Sequence, residues 1–384
     1  MNFEFATANR IVFGPEAWKE AIPYSKTHGK HVCLVTGATR ERAEFLIEAF
    51  EEQAISLTTV SIDGEPTVEM IETAVKKVRE SHCDVVAGFG GGSVIDSGKA
   101  IAALLTNHGA VEDYLEVIGR GNPLKKYPAP YIAIPTTAGT GAEVTRNAVL
   151  TSREYQVKVS MRSPFMLPQL ALVDPVLTHD LPPDITAVTG LDALTQLIEA
   201  FVSRKASPMT DGICREGIVR AVKALPVVYK NGRDAEAREA MSLASLFSGL
   251  ALANAGLGAV HGFAGPIGGL FSAPHGAVCA CLLPHVMETN IDVLQRHEKK
   301  SCLLERFDQV AKMITGDPHA RAGKAVEWVK QLCTDFQIPG LATYGIENDH
   351  IQLIVEKAKE ASSMKGNPVT LTEQELIHII KRAL

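Results

Sequence analysis

Between residues 11 and 177 the chain alternates short apolar runs, rich in β-branched residues, with longer amphipathic segments. This alternation is typical of parallel strands buried on both faces by helices. The predicted strands occupy residues 31–36, 56–60, 84–89, 131–135 and 170–173. The predicted helices occupy residues 40–53, 68–80 and 93–106. This half of the chain is therefore predicted to be a Rossmann-like, doubly wound α/β domain.

One stretch interrupts the alternation. Two β-prone runs, at residues 147–151 and 155–159, flank the polar tripeptide Ser152-Arg153-Glu154. Such a pair predicts a hairpin, which we expect on the edge of the sheet.

The pattern changes after the hinge-like sequence Leu181-Pro182-Pro183-Asp184. From there to the C-terminus the chain is rich in Ala and Leu, and its apolar positions recur with the period of a helix. The predicted helices occupy residues 185–204, 210–229, 234–254, 306–314, 320–336, 349–361 and 372–382. We therefore expect an α/β domain over residues 1–180 and an all-helical domain over residues 181–384.

Charge and cysteine content narrow the class of protein. The net charge is −6, and basic residues form no cluster larger than a pair, so nucleic acid and anionic membranes are not expected partners. The seven cysteines include no Cys-x-x-Cys pair, which argues against a disulfide framework and favours a reducing cytoplasm. The N-terminus lacks the pattern of a signal peptide, and uninterrupted apolar runs fall short of the roughly 18 residues that a membrane span needs.

The most distinctive motif follows the predicted strand at residues 84–89. Gly90, Gly91 and Gly92 end that strand, and Ser93 begins a predicted helix. Glycines let the backbone approach an anion, and the N–H groups and dipole of the first helical turn stabilise it. The motif predicts a phosphate site, although glycine runs also occur in plain turns.

Asp192 and Gln196 lie four positions apart on the first long helix of the second half, so their side chains share one face. Their neighbours are mostly apolar, which predicts that Asp192 is buried and has a partner. That partner is either a cation or the backbone of a neighbouring loop.

His261 and His275 are each followed by Gly in apolar surroundings. A single His of this kind is usually a hydrogen-bonded core residue. Two of them, with a buried Asp in the same helical domain, predict a cation site with O, N and N donors.

Together these motifs resemble one family. The glycine turn with Asp96 and Lys99, residues 135–145 with their Thr and Gly, residues 190–195, and the two His-Gly pairs are similar to the iron-containing (group III) alcohol dehydrogenases. The resemblance runs in order over most of the chain, and dehydroquinate synthase and glycerol dehydrogenase are more distant members of the fold group.

The resemblance implies a set of roles. Asp192, His261 and His275 would be the catalytic residues and, with Gln196, the metal site, holding Fe²⁺ or Zn²⁺. Lys158 would reach the nicotinamide ribose, and three threonines would contact the phosphates and the nicotinamide side. The implied cofactor-binding residues are Gly37, Thr39, Gly90, Gly91, Gly92, Ser93, Asp96, Thr136, Thr137, Thr140 and Lys158.

Three positions depart from the family pattern. The usual fourth ligand, a His four residues after the Asp, is Gln196, whose neutral carbonyl oxygen is a weaker donor. A second His, implicated in proton transfer in many members, is Gly265. NAD-preferring relatives often have an Asp where Gly37 stands, and its absence leaves room for NADP, with Thr39 and Arg40 as candidate phosphate contacts.

The sequence thus predicts an NAD- or NADP-dependent alcohol dehydrogenase that acts with a divalent metal on a small primary alcohol or aldehyde, in a cleft between the domains. The resemblance also implies a homodimer. Three alternatives remain open: a dehydroquinate synthase-type lyase that uses NAD transiently, a hydroxyacid- or oxoacid-acting member of the family, and a catalytically silent nucleotide-binding protein. The apolar segments around residues 192, 261 and 275 favour a small, weakly charged substrate over a phosphorylated acid.

Overall fold

The computed structural model describes residues 2–297 and 302–384, which form two compact units. The α/β unit comprises residues 6–137 and 141–179, and the helical unit comprises residues 2–5, 138–140 and 180 onward. The expected division, after residue 180, differs from this at residue 180 itself and in the two short segments 2–5 and 138–140, whose contacts group them with the helical unit.

The α/β unit contains a six-stranded parallel sheet with the strand order β1-β8-β5-β4-β2-β3. Its strands are β1 (Arg10–Phe13), β2 (His31–Gly37), β3 (Ser56–Ile62), β4 (Val85–Gly90), β5 (Tyr131–Pro135) and β8 (Leu170–Val173). The central strands β4 and β5 are buried along their whole length, as expected of a sheet covered on both faces. The predicted fold class is confirmed. β1, a short edge strand that pairs with β8, was not among the strands predicted for this sheet.

Four helices connect these strands. They are α1 (Ala21–His28), α2 (Glu44–Glu51), α3 (Val68–Glu80) and α4 (Gly92–Thr106). Helix α3 begins at the predicted residue because the Thr67 side chain accepts a hydrogen bond from the Met70 N–H, which caps the helix. Helix α4 is almost entirely buried, and Gly88 and Gly98 leave room for the Tyr131 ring between β4 and α4.

The predicted hairpin is present, but its expected place on the edge of the main sheet is wrong. Strands β6 (Asn147–Ser152) and β7 (Val157–Arg162) pair antiparallel as a separate two-stranded sheet. Two side chains of α4 hold it there. Asp96 accepts a hydrogen bond from the Val149 N–H at 2.9 Å, and Lys99 donates to the backbone carbonyl of Asn147.

The helical unit consists of α5 (Pro183–Val202), α6 (Pro208–Lys230), α7 (Ala235–Ala255), α8 (Ala259–Leu270), α9 (His275–His297), α10 (Cys302–Thr315), α11 (Ala322–Asp335), α12 (Ile351–Glu360) and α13 (Glu373–Ala383). Helix α5 is central and packs against α6, α7 and α9. Helices α8 and α9 were not among the predicted helices. Several glycines and the internal prolines Pro266 and Pro284 lower their intrinsic propensity, so tertiary packing decides their conformation.

Helices α5 and α9 are long and apolar enough to cross a membrane by length and composition alone, and the bent pair α7 and α8 passes the same test if it is taken as one span. The apolar segments of α5 and α9 are 83% and 78% buried within the protein. Packing in the helical core therefore accounts for their composition.

Candidate functional site

Helix α5 supplies the acidic side of the candidate site. Asp192 and Gln196 lie on one face as predicted from their spacing, and Glu199 follows on the same face nearly two turns after Asp192. All three side chains are buried. A buried carboxylate is strongly destabilising unless a cation or hydrogen bonds compensate it, so both acids require partners.

His261, near the start of α8, is the shared partner of both acids. Its Nδ1 lies 2.7 Å from Oε2 of Glu199, and its Nε2 lies 3.2 Å from Oδ1 of Asp192. The other Glu199 oxygen accepts a hydrogen bond from the Val260 N–H at 2.7 Å. Gly258 permits this approach, since a Cβ there would lie 2.8 Å from Oε1 of Glu199. Glu199 therefore fixes the ring so that Nε2 faces Asp192.

Helix α9 completes the cluster with two side chains, one turn apart. His275 Nε2 lies 3.7 Å from Oδ1 of Asp192, and the Cys279 thiol sulfur lies 3.7 Å from Nε2 of each histidine. One donor atom from each of Asp192, His261, His275 and Cys279 lies within 4.8 Å of the others. We call these four residues the Asp192 cluster. His275 is its most open member, because its side chain is 33% exposed against 2% for Asp192.

The acidic and imidazole groups of the cluster shift one another's pKa values. Burial raises the pKa of Asp192, but the neighbouring His275 and His261 outweigh this effect and leave its pKa below the usual value. Burial lowers the pKa of both histidines. At His275, Cys279 and Asp192 outweigh burial, so the pKa is raised. At His261, Cys279, Asp192 and Glu199 together raise the pKa well above its usual value. The site therefore favours positive charge next to Asp192, either as imidazolium or as a bound cation.

Gln196 lies beside the cluster. Its Nε2 donates a 3.3 Å hydrogen bond to Oδ2 of Asp192, while its buried Oε1 has no hydrogen-bond partner among the described residues. An unpartnered buried oxygen is costly, and a cation would satisfy it. Together with a carboxylate and two imidazole nitrogens, this oxygen fits a divalent transition metal.

In the α/β unit, the predicted glycine turn forms the end of β4. Gly90 ends the strand, Gly91 precedes α4, and Gly92 is its first residue. A Cβ on Gly91 would lie 3.3 Å from Cγ2 of Thr137, so glycine keeps the backbone close to this threonine. Helix α4 points its free N-terminal N–H groups toward this turn, which is the geometry that binds phosphate.

Neighbouring strand ends bring further predicted residues to the same edge of the sheet. Gly37 ends β2, which pairs with β4, and a Cβ on Gly37 would meet nothing within 4 Å. Thr136 follows β5, and its N–H donates to the Gly90 carbonyl at 2.9 Å. Strand order reverses between β2 and β4, and ligands of doubly wound sheets bind beside such a reversal.

Three other predicted cofactor contacts, Thr39, Asp96 and Lys158, differ in exposure and in their partners. Thr39 is exposed and precedes a short 3₁₀ helix that Arg40 begins. Asp96 interacts with Lys99 at 2.8 Å and with the Val149 N–H. Lys158, on β7, is nearly buried and pairs with Glu65 at 3.1 Å, so it is not a solvated surface lysine.

Thr140 belongs to the short segment that is grouped with the helical unit, whereas the other predicted cofactor contacts belong to the α/β unit. The cofactor-binding roles of all these residues stay predictions.

Two residues of the site were missed from the sequence, although their spacing offered a signal. Cys279 follows His275 by four positions, and Glu199 follows Asp192 by seven, so each shares a helix face with a predicted site residue. The signal at Cys279 was lost because α9 was not predicted to be a helix.

Two family models divide the chain between them. Residues 8–175 match the model described as iron-containing alcohol dehydrogenase, and residues 186–384 match the C-terminal model of the Fe-containing alcohol dehydrogenase family. The chain belongs to the iron-containing alcohol dehydrogenase family. The resemblance predicted from the motifs is thereby confirmed, and the family supports an oxidoreductase that uses a nicotinamide cofactor and a metal.

Individual relatives match nearly the whole chain. The sequence is 35% identical to alcohol dehydrogenase 4 of Saccharomyces cerevisiae (strain YJM789) over 97% of this chain and 96% of that protein. It is 33% identical to the NAD-dependent methanol dehydrogenase of Bacillus methanolicus, over 97% of each. A crystal structure of 1,3-propanediol oxidoreductase matches over 100% of both chains, with a TM-score of 0.91 and 32% identity.

Two positions at which the sequence departs from the pattern that the resemblance implies lie on the helices that bear the cluster. Gln196, where the resemblance implies a His, lies on α5 and donates its amide N–H to Asp192. Gly265 lies one turn after His261 on α8, and a Cβ there would meet nothing within 4 Å. The space for a side chain at this second position is therefore open.

Proposed function

We propose that the protein is an NAD(P)-dependent alcohol dehydrogenase that transfers hydride reversibly between a small primary alcohol and the nicotinamide, with the help of a divalent metal. The supporting observation is the convergence of Asp192 Oδ1 with Nε2 of His261 and Nε2 of His275, at 3.2 and 3.7 Å, inside a family whose members are alcohol dehydrogenases.

In this proposal Asp192, His261 and His275 hold the metal, which is Fe²⁺ or Zn²⁺, and the Oε1 atom of Gln196 is a weaker donor. When bound, a divalent cation supplies a Lewis acid that stabilises the negative charge developing on the substrate oxygen. Glu199 holds His261 in the tautomer that carries the proton on Nδ1 and leaves Nε2 free to bind. The exposed edge of His275 gives the substrate access to the cluster.

The glycine turn after β4 binds the cofactor pyrophosphate in this proposal. Gly90, Gly91, Gly92 and Ser93 provide close backbone approach and the first N–H groups of α4. Thr136, Thr137 and Thr140 donate hydrogen bonds to the cofactor, and Lys158 binds the nicotinamide ribose. Gly37 leaves space for a 2′-phosphate, so we propose that NADP is accepted, with a slight preference over NAD.

The substrate is a small alcohol or aldehyde without strong charge. The relatives named for methanol and 1,3-propanediol support this size class, as do the buried apolar residues of α8 and α9, the helices that bear both histidines. As the resemblance implies, the protein would act as a homodimer.

The proposal is tested by following reduced-cofactor absorbance with the purified protein, NAD or NADP, and a panel of alcohols, aldehydes and hydroxyacids. We expect turnover of a small alcohol, its loss after thorough chelation, and its return with Fe²⁺ or Zn²⁺. Activity that survives complete removal of metal would contradict the metal's role. Turnover of hydroxyacids alone would change the substrate class, and cofactor binding without any turnover would contradict the enzyme assignment.

A further inference from the structure

Two helices of the candidate site each present a pair of polar side chains one turn apart. Helix α5 presents Asp192 and Gln196, and helix α9 presents His275 and Cys279. Residues four apart on a helix share a face, which is the spacing that paired metal ligands on helices use. His261 on α8 faces both pairs.

Four of the six distances between the donor atoms match those between neighbouring ligands of a single zinc ion, and all six are within 4.8 Å. In a tetrahedral zinc site, with bonds of about 2.1 Å to nitrogen or oxygen and about 2.3 Å to sulfur, neighbouring donors lie about 3.4 Å apart, or about 3.6 Å when one is sulfur. Asp192 Oδ1 lies 3.2 and 3.7 Å from the two imidazole Nε2 atoms. The Cys279 sulfur lies 3.7 Å from each of them.

The neighbouring amide also fits a site of this kind. Gln196 donates its N–H to Oδ2 of Asp192, and its own buried Oε1 has no hydrogen-bond partner among the described residues. A neutral amide oxygen is a weaker donor than the imidazole that the resemblance implies at this position. Asp192, His261 and His275 therefore supply three strong donors, and a fourth must come from another residue.

We propose that the sulfur of Cys279 is the fourth strong metal ligand and that the resulting O, N, N, S set makes this a zinc-preferring site. On coordination the thiol proton leaves to solvent and a sulfur lone pair forms the bond to the cation. Thiolate is a soft ligand that favours zinc, whereas imidazole suits zinc and iron alike. The inference rests on the proposed metal dependence, and its test is independent of turnover.

The test uses Co²⁺ as a spectroscopic probe of the chelator-treated, reduced protein. We expect the wild-type protein to develop a thiolate-to-cobalt charge-transfer band in the near ultraviolet. Cys279→Ser and Cys279→Ala should bind Co²⁺ without that band. Their Zn²⁺ affinity, measured by chelator competition, should fall by about 100-fold or more, since outer partners of metal ligands alone contribute 10- to 100-fold.

Cys281→Ser is the matched control. Cys281 is buried on the same helix, but its thiol donates to the Ala383 carbonyl at 3.3 Å and lies outside the cluster. This variant should keep the band and the Zn²⁺ affinity. Gln196→Met, which removes the amide oxygen, should also keep the band and reduce affinity less than Cys279→Ala does. Circular dichroism and the thermal midpoint verify that each variant folds.

The outcomes separate this inference from the proposed function. A wild-type protein that binds Co²⁺ without the band, and whose Zn²⁺ affinity Cys279→Ala leaves unchanged, would overturn the role of Cys279 and leave the metal-dependent enzyme intact. A wild-type protein that binds neither Co²⁺ nor Zn²⁺ would overturn both.

Discussion

His261 Nδ1 lies 2.7 Å from Oε2 of Glu199, a buried carboxylate on the face of α5 that also bears Asp192. The second Glu199 oxygen is held by the Val260 N–H at 2.7 Å, so the carboxylate cannot rotate without losing a bond. Glu199 holds Nδ1 of the imidazole and so orients Nε2 toward Asp192, as carboxylates commonly do for histidines that bind metals. Glu199 is therefore a positioning residue for the Asp192 cluster.

Replacing Glu199 tests that relationship. Glu199→Gln keeps the shape of the side chain but removes its charge, and we expect Zn²⁺ affinity to fall by about 10- to 100-fold. Chelator competition measures the affinity. Glu216→Gln, on the exposed face of α6, is the control and should behave as wild type. Equal affinities for both variants would show that Glu199 has only a structural role.

Asp192→Asn tests the central carboxylate. The amide preserves size but gives up the charge that balances a cation, so we expect loss of bound metal by elemental analysis. We also expect kcat/KM to fall by about 100-fold or more, equivalent to about 3 kcal/mol. Asp184→Asn, exposed in the first turn of the same helix, is the matched control. Full metal content in Asp192→Asn would remove this residue from the metal site.

Gly265→His tests the missing imidazole. The position lies one turn after His261, and a Cβ there meets nothing within 4 Å. We expect kcat to rise by about tenfold, with a new ionisation in its pH profile, because a placed acid or base contributes at least this much when proton transfer limits the rate. Gly265→Asn fills the same space without a titrating group. A gain shared by both variants, or by neither, would contradict a role in proton transfer, and thermal midpoints monitor the effect of a side chain before Pro266.

Gly37→Asp tests cofactor choice. Gly37 ends β2 in open space, so an aspartate there would interact with a ribose 2′-OH and repel a 2′-phosphate. We expect the ratio of kcat/KM for NAD to that for NADP to rise by about tenfold or more, since 1.4 kcal/mol of discrimination suffices. Gly323→Asp, on α11 and equally unobstructed, controls for the added charge. An unchanged ratio would place the adenosine ribose away from β2.

Glu143 gives a prediction about pH and stability. Burial raises the pKa of Glu143 from 4.5 to about 7, against the opposing effect of Lys99. The folded chain therefore retains a proton that the unfolded chain releases. The stabilisation from this proton is fully present below pH 4.5 and is lost as the pH rises to about 7.

Glu143→Gln removes that dependence. Relative to wild type, its free energy of unfolding should increase by up to about 3 kcal/mol between pH 4.5 and 8, as measured by urea denaturation. Glu154→Gln, exposed at the hairpin turn, should follow the wild-type curve. Parallel curves for Glu143→Gln and wild type would show that Glu143 is ionised in the folded protein at neutral pH.

The sequence by itself determined the parallel sheet, helices such as α3 and α5, and the choice of Asp192, His261 and His275 as residues of interest. These features depend on local periodicity and on side-chain chemistry, which are visible along the chain. Only the tertiary structure decided that α8 and α9 are helices. Their glycines and prolines lower the local helix propensity, and packing in the helical unit overrides it. Tertiary contacts also decided the position of the hairpin, which bonds to Asp96 and Lys99 of α4 instead of pairing with the edge of the main sheet.

The same packing places Glu199 and Cys279 against His261, across intervals of 62 and 18 residues. A contact of this kind depends on how helices cross, which no periodicity along the chain encodes.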